Sequence, residues 1–140
     1  MSAELPLLLD TCAAIWISEE QALASEALTA IERSHRSREV IYVSPITAWE
    51  IGLLFSHGKL SSPMSPRRWF ERLLEAPGVR LADMSPDVLI ASSFLPGAPP
   101  RDPADRILAA TSREYGYRLM TRDIPLLTYA RQGHLQALAC

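Results

Sequence analysis

The alternation of short apolar runs with helix-like segments constrains this chain more than any other feature of it. Residues 5–9 form one such run and end at Asp10, residues 40–43 form a second, β-branched one, and residues 118–121 a third. Continuous apolar runs of this length suit strands covered on both faces, as in a parallel sheet. Between them, residues 11–18 read as a helix start. Residues 21–34 read as a second helix, with Leu23, Ala27, Leu28 and Ile31 at helical spacing. Ser44-Pro45 ends the second strand and opens a helix over residues 46–57, which Gly58 stops. Trp69, Phe70, Leu73 and Leu74 give the next helix an apolar stripe, broken by Pro77-Gly78. A weak strand over residues 79–82, a short helix over 86–94 and a proline-rich surface loop over 95–101 follow. Asp102-Pro103 opens a helix that runs to Tyr115 and closes at Gly116. A short helix over residues 124–129 and a last strand over 135–138 complete the series. Strand and helix alternate throughout, which predicts an α/β fold with helices on both faces of a parallel sheet. A length of 140 residues, without repeat or linker, suits one domain spanning residues 1–140.

This architecture says where chemistry belongs. In open α/β sheets, ligands bind beyond the carboxyl ends of the strands. Asp10 is the first residue after strand one, and Asp123 falls two residues after the strand that ends at Thr121. Asp105 lies in the first turn of a helix that precedes a strand, and Glu50 in an early turn of a helix that follows one. All four are expected at one end of the sheet. Clustered carboxylates repel and raise one another's pKa, and a divalent cation removes the conflict. An all-oxygen donor set without His or Cys favours Mg²⁺ or Mn²⁺ over zinc. The chemistry this suits is metal-assisted phosphodiester hydrolysis, with one ion or two. Each acid also fits a structural role. Asp10 suits a helix N-cap, Glu50 a solvated helix face, and Asp123 the dipole of the helix after it. Asp102, with Pro103 at N1 and Asp105 at N3, resembles a capping box, so Asp102 is assigned to the cap and Asp105 to the site. The functional reading rests on the convergence of all four.

The formal net charge of -2 provides no global attraction to nucleic acid, so a local patch or a metal must offset phosphate repulsion. Basic charge is nearly all arginine, and Lys59 is the single lysine. The two cysteines, Cys12 and Cys140, form no CxxC pair, which argues against a disulfide framework or thiolate zinc site and fits a reducing cytoplasm. No apolar run approaches the roughly 20 residues of a membrane span. Residues 1–9 carry Glu4 and no basic residue, unlike a signal peptide.

The motifs Leu-Leu-Leu-Asp-Thr (residues 7–11), Val-Ser-Pro-Ile-Thr-Ala-Trp-Glu-Ile-Gly (43–52), Gly-Lys-Leu (58–60), Arg-Asp-Pro-Ala-Asp-Arg-Ile-Leu-Ala-Ala-Thr-Ser (101–112) and Met-Thr-Arg-Asp (120–123) resemble, in order and spacing, those of a PIN domain. They look in particular like the VapC-type toxins of bacterial toxin–antitoxin pairs. The resemblance implies a PIN-like three-layer α/β/α fold with a four- to five-stranded parallel sheet. It also implies Mg²⁺- or Mn²⁺-dependent endoribonuclease activity on an RNA substrate. It carries over Asp10, Glu50, Asp105 and Asp123 as the acids. Thr11, Ser44 and Thr121 become supporting residues. It further implies a cognate VapB-type antitoxin that wraps the toxin, a homodimer, and a larger toxin–antitoxin complex. Cys12 departs from the pattern, standing where many relatives have His; it is expected to be a small packed side chain rather than a reactive thiol.

Other residues are weighed against packing. Trp49 and Phe55 are expected in the core, while Trp16 with Ile17 divides between core and an antitoxin groove. Arg67, Arg68 and Arg72 read as a solvated helix face rather than an RNA track. Arg106 and Arg122, each beside a site acid, are the candidates for phosphate contact, against simple surface ion pairs. His35, His57 and His134 are scattered and receive no catalytic part. A phosphoryl-accepting receiver domain would need a lysine near the last strand and an acidic pair after the first, and the chain has neither. A PIN fold that binds RNA or protein without cleaving it remains the alternative from another functional class.

Overall fold

The computed structural model describes residues 5–140. The expectation about a leader rests partly on residues 1–4, which lie outside the described residues. The described residues form a parallel five-stranded sheet in the order β3-β2-β1-β4-β5. The strands are β1 (Leu7–Leu9), β2 (Ile41–Val43), β3 (Val79–Leu81), β4 (Arg118–Thr121) and β5 (Ala137–Ala139). Registers are regular: Leu9 pairs with Val43 on one side and Met120 on the other. The helices are α1 (Thr11–Ser18), α2 (Ser25–Arg36), α3 (Pro45–Ser56), α4 (Pro66–Glu75), α5 (Pro86–Ala91), α6 (Pro103–Tyr115) and α7 (Ile124–Arg131).

The strand order steps outward from β1 in both directions. Right-handed crossovers then place the helices of the two halves on opposite faces. One core joins Leu7, Leu9, Ile41 and Met120 to Ala13, Ala27, Trp69 and Leu73 of α1, α2 and α4. The other joins Leu8 and Leu119 to Leu108, Leu126 and Tyr129 of α6 and α7. Adjacent residues of β1 thus face opposite layers, as the pleat requires. Helix starts follow local chemistry. Ser44, Ser65, Ser85 and Asp102 cap helices whose first residue is proline, and each side chain accepts from a main-chain N–H two or three residues on. Gly116 ends α6 in the left-handed region, at φ 72°, as expected of a glycine past the last turn. The 95–101 loop is tied down: Tyr129 Oη donates to Pro96 O at 2.5 Å, and a Cβ on Gly97 would meet the His134 ring at 2.5 Å.

Several expectations are corrected. α2 begins at Ser25, not residue 21, because Glu20 adopts φ 55° and Gln21 N donates back to Trp16 O at 2.8 Å. Gln21 therefore closes α1, residues 22–24 are not helical, and Leu28 is exposed. The last strand starts at Ala137, two residues late; Leu135 is a buried anchor before it. Trp49 is 55% exposed rather than a core residue. α3 has apolar residues on most sides, so periodicity alone does not say which side is covered. Ile46, Thr47 and Ile51 take the buried positions, and Phe55 is partly buried against the first core.

Candidate active site

The reversal of strand order lies between β1 and β4, and the sequence-predicted acids gather beyond the carboxyl ends of these two strands. Asp10 follows β1 and caps α1, with Oδ1 accepting from Ala13 N at 2.7 Å. Its Oδ2 accepts from Thr121 Oγ1, at the end of β4, at 2.5 Å. Thr121 Oγ1 in turn accepts from Asp123 N at 3.0 Å, so one hydroxyl ties both acids to the strand ends. Asp123 caps α7 through Oδ2, which accepts from Leu126 N at 3.1 Å. Glu50 lies in the second turn of α3, and its Oε1 accepts from Thr11 Oγ1 at 2.6 Å. Thr11 Oγ1 also contacts Thr47 Oγ1 at 3.1 Å. Asp102 Oδ2 caps α6 by accepting from Asp105 N at 3.0 Å. The expected capping box closes on this side only: among the described residues, the Asp105 carboxylate accepts and donates no hydrogen bond. Ser44 is buried and spent on the α3 cap.

Electrostatics report the same gathering. Burial raises the Asp105 carboxyl to about 7, and Asp123, Asp102, Glu50 and Asp10 add to the rise. Burial also lifts Asp10 above the ordinary carboxylate range, opposed by its bonds from Thr121 and Ala13 and assisted by Asp123. Glu50 is raised by burial, with the Thr11 bond opposing and Asp102 and Asp10 adding. Cys12 is exposed rather than packed. Its thiol is pushed up to about 11 by partial burial and then by all four acids, so it stays protonated near neutrality and is not a thiolate donor.

Among the described residues, no three His, Cys, Asp or Glu side chains already stand in closed metal-binding geometry. The donor chemistry nonetheless fits a hard dication. Glu50 Oε2, Asp123 Oδ1 and both Asp105 oxygens carry no hydrogen bond among the described residues, and all are carboxylate oxygens. A carboxyl raised among like charges marks a place where added positive charge, whether a proton or a cation, is favoured.

The two candidates for phosphate contact hold main-chain carbonyls. Arg106 donates to Ser92 O at 2.9 Å and Pro100 O at 3.2 Å. Arg122 donates to Cys140 O at 2.6 Å and Ala22 O at 3.1 Å, and its guanidinium lies 3.4 Å from the Trp16 ring centroid. Adjacency to an acid in sequence did not reveal these directions. Arg67, Arg68 and Arg72 are exposed, and Arg68 pairs with Glu75 at 2.7 Å, as a solvated face does. Thr47 was missed; the signal available was its position three residues before Glu50, one turn back on the same helix face. A second feature is an apolar groove of about 290 Å³ between α1, α2 and α4, lined by Leu9, Ile17, Ile31, Ile41, Trp69 and Leu73.

Fold and site together define an α/β domain with an acid cluster at its topological switch point. The chain belongs to the PIN-domain family, whose profile matches residues 7–131. Within that family it is of the VapC type, being 34% identical to Ribonuclease VapC22 of Mycobacterium tuberculosis over 118 residues, 84% of this chain and 86% of that one. Its fold is similar to that of VapBC2 from Rickettsia felis bound to a promoter DNA fragment (TM-score 0.65, 12% identity, 96% and 98% of the two chains). It is likewise similar to DNA-bound VapBC from Salmonella typhimurium (TM-score 0.64, 17% identity, the same coverage). Among the described residues no helix is long and apolar enough to cross a membrane.

Proposed function

We propose that this chain is a divalent-metal-dependent endoribonuclease and the toxin of a VapBC-type pair, acting as one cytoplasmic domain. The observation that carries the reading is the convergence of Asp10, Glu50, Asp105 and Asp123 beyond β1 and β4, with Asp105 raised to about 7 by burial and by its acid neighbours. The ribonuclease name of the 34% identical relative supports it. Asp10 and Asp105, with Glu50 and Asp123, would hold Mg²⁺ or Mn²⁺, as one ion or two. When bound, such an ion supplies charge neutralisation and Lewis acidity for phosphodiester hydrolysis.

The chain's own groups do the positioning. Thr121 and the Ala13 N–H fix both oxygens of Asp10, which is 4% exposed. Thr11 aims Glu50, and Asp102 takes the α6 cap so that Asp105 is left free. The RNA substrate would approach over the open carboxyl edge of the sheet. The groove between α1, α2 and α4 suits an amphipathic segment of a VapB-type antitoxin, since apolar grooves between helices accept such faces. A homodimer, paired again through the antitoxin, is the assembly this reading carries.

The test is cleavage of RNA by Asp10→Ala and Asp105→Ala variants in Mn²⁺, with a chelator control. Both are expected to lose cleavage while remaining folded. Metal-dependent cleavage retained by both would reject the site.

A further inference from the structure

We propose that Thr47 is a positioning residue for the acid cluster, its hydroxyl acting through Thr11 to fix the direction of the Glu50 carboxylate. The inference rests on the metal-site reading above. Thr11 Oγ1 donates to Glu50 Oε1 at 2.6 Å. A threonine hydroxyl has one proton, so the 3.1 Å contact between Thr11 and Thr47 must run from Thr47 Oγ1 as donor to Thr11 Oγ1 as acceptor. The result is a directed chain, Thr47 to Thr11 to Glu50. A hydroxyl that accepts one hydrogen bond donates a stronger one.

Thr47 is fully buried at 0% exposure, and Thr11 is its one side-chain partner among the described residues. Thr47 lies in the first turn of α3, where no helical carbonyl stands four residues back, and its hydroxyl reaches 36 residues back in sequence to α1. Thr47 and Glu50 are three apart on α3, so they share a face. Thr11 directly follows Asp10. The chain of hydroxyls therefore links the helix that carries Glu50 to the turn that carries Asp10. A valine would fill the same volume, so packing alone does not require the oxygen.

The test compares Mn²⁺ binding by Thr47→Val and Thr47→Ser with that of the unmodified chain, read from the free-ion electron paramagnetic resonance signal. Thr47→Val is expected to weaken Mn²⁺ binding about 10-fold, the low end for loss of an outer-shell partner. Thr47→Ser is expected to restore it. In a Thr11→Val background, Thr47→Val is expected to add nothing, because its route is already cut. Unchanged affinity in Thr47→Val, failure of the serine to rescue, or a further loss in the Thr11→Val background would each overturn the proposal. Hydroxyl proton resonances of the metal-free protein separate this inference from the function it rests on. If the unmodified chain binds no Mn²⁺, the metal reading falls and the hydroxyl chain is judged by these resonances alone. A Thr11 proton protected in the unmodified and Thr47→Ser chains and exchanging fast in Thr47→Val supports it; equal exchange in all three overturns it.

Discussion

Asp105→Asn should stabilise the metal-free protein at pH 8 and destabilise it, relative to the unmodified chain, once Mn²⁺ is added. The Asp105 carboxyl titrates at about 7 in the folded chain against an ordinary 3.8. It therefore binds its proton more tightly folded than unfolded. The stability this proton confers is present at low pH and is lost as pH rises from about 4 to about 7. A shift of about 3 units corresponds to about 4 kcal/mol at 1.36 kcal/mol per unit, and solvent screening of a partly exposed group reduces this to about 2. Asparagine avoids that penalty but forfeits about 0.5 kcal/mol of favourable charge at the α6 N-terminus. The net gain is about 1.5 kcal/mol, or about 5 °C in Tm for a chain of this size. Far-ultraviolet melts in chelator should show this difference at pH 8 and almost none at pH 4. With Mn²⁺ at 100 times its Kd, the unmodified chain gains about 2.7 kcal/mol and the order reverses. If Asp105→Asn instead melted well below the unmodified chain in chelator at pH 8, Asp105 would be a helix-capping residue and the argument would fail.

Three further outcomes are expected. Thr121→Val removes the bond to Asp10 Oδ2 and the acceptor for Asp123 N, and should cost about 2 kcal/mol in urea unfolding at pH 8. Because the lost bond lowers the Asp10 pKa, the cost should shrink as pH falls and Asp10 is protonated. Trp49→Ala should cost less than about 1 kcal/mol, against about 3–5 for a core tryptophan, since the side chain is largely exposed. Arg122→Ala should cost about 1.5 kcal/mol and change Trp16 fluorescence, by loss of the stacked cation and two carbonyl contacts, without altering the salt dependence of RNA binding.

How much of this was legible in the chain depended on how local the deciding contact was. Helix starts at Ser44-Pro45, Asp102-Pro103 and Asp123 could be read directly, because cap and proline act within three residues. The parallel sheet followed from the apolar runs, but the bounds of β1 and β5 depended on partners far along the chain. The start of α2 was hidden because Leu23 and Ala27 have helical spacing while the backbone turns through Glu20. Asp10, Glu50, Asp105 and Asp123 were legible as a set through their places after strands and at helix starts. What the acids' neighbours do was not: Arg106 and Arg122 reach carbonyls 14 and 18 residues away, and Thr47 a hydroxyl 36 away. Side-chain direction at that range is decided by packing, not by spacing.

The bond from Thr121 to Asp10 spans 111 residues. Asp10 and Glu50 come before the proline-rich loop, while Asp105 and Asp123 come after it. A nascent copy emerging from the ribosome therefore holds Asp10 and Glu50 without either later acid until residue 105 of the 140 has been added. No amino-terminal portion that ends before Asp123 holds the whole cluster, and long-range parallel pairing of this kind is slow to form. A fragment that stops before β4 thus lacks both Asp123 and the Thr121 hydroxyl that holds Asp10.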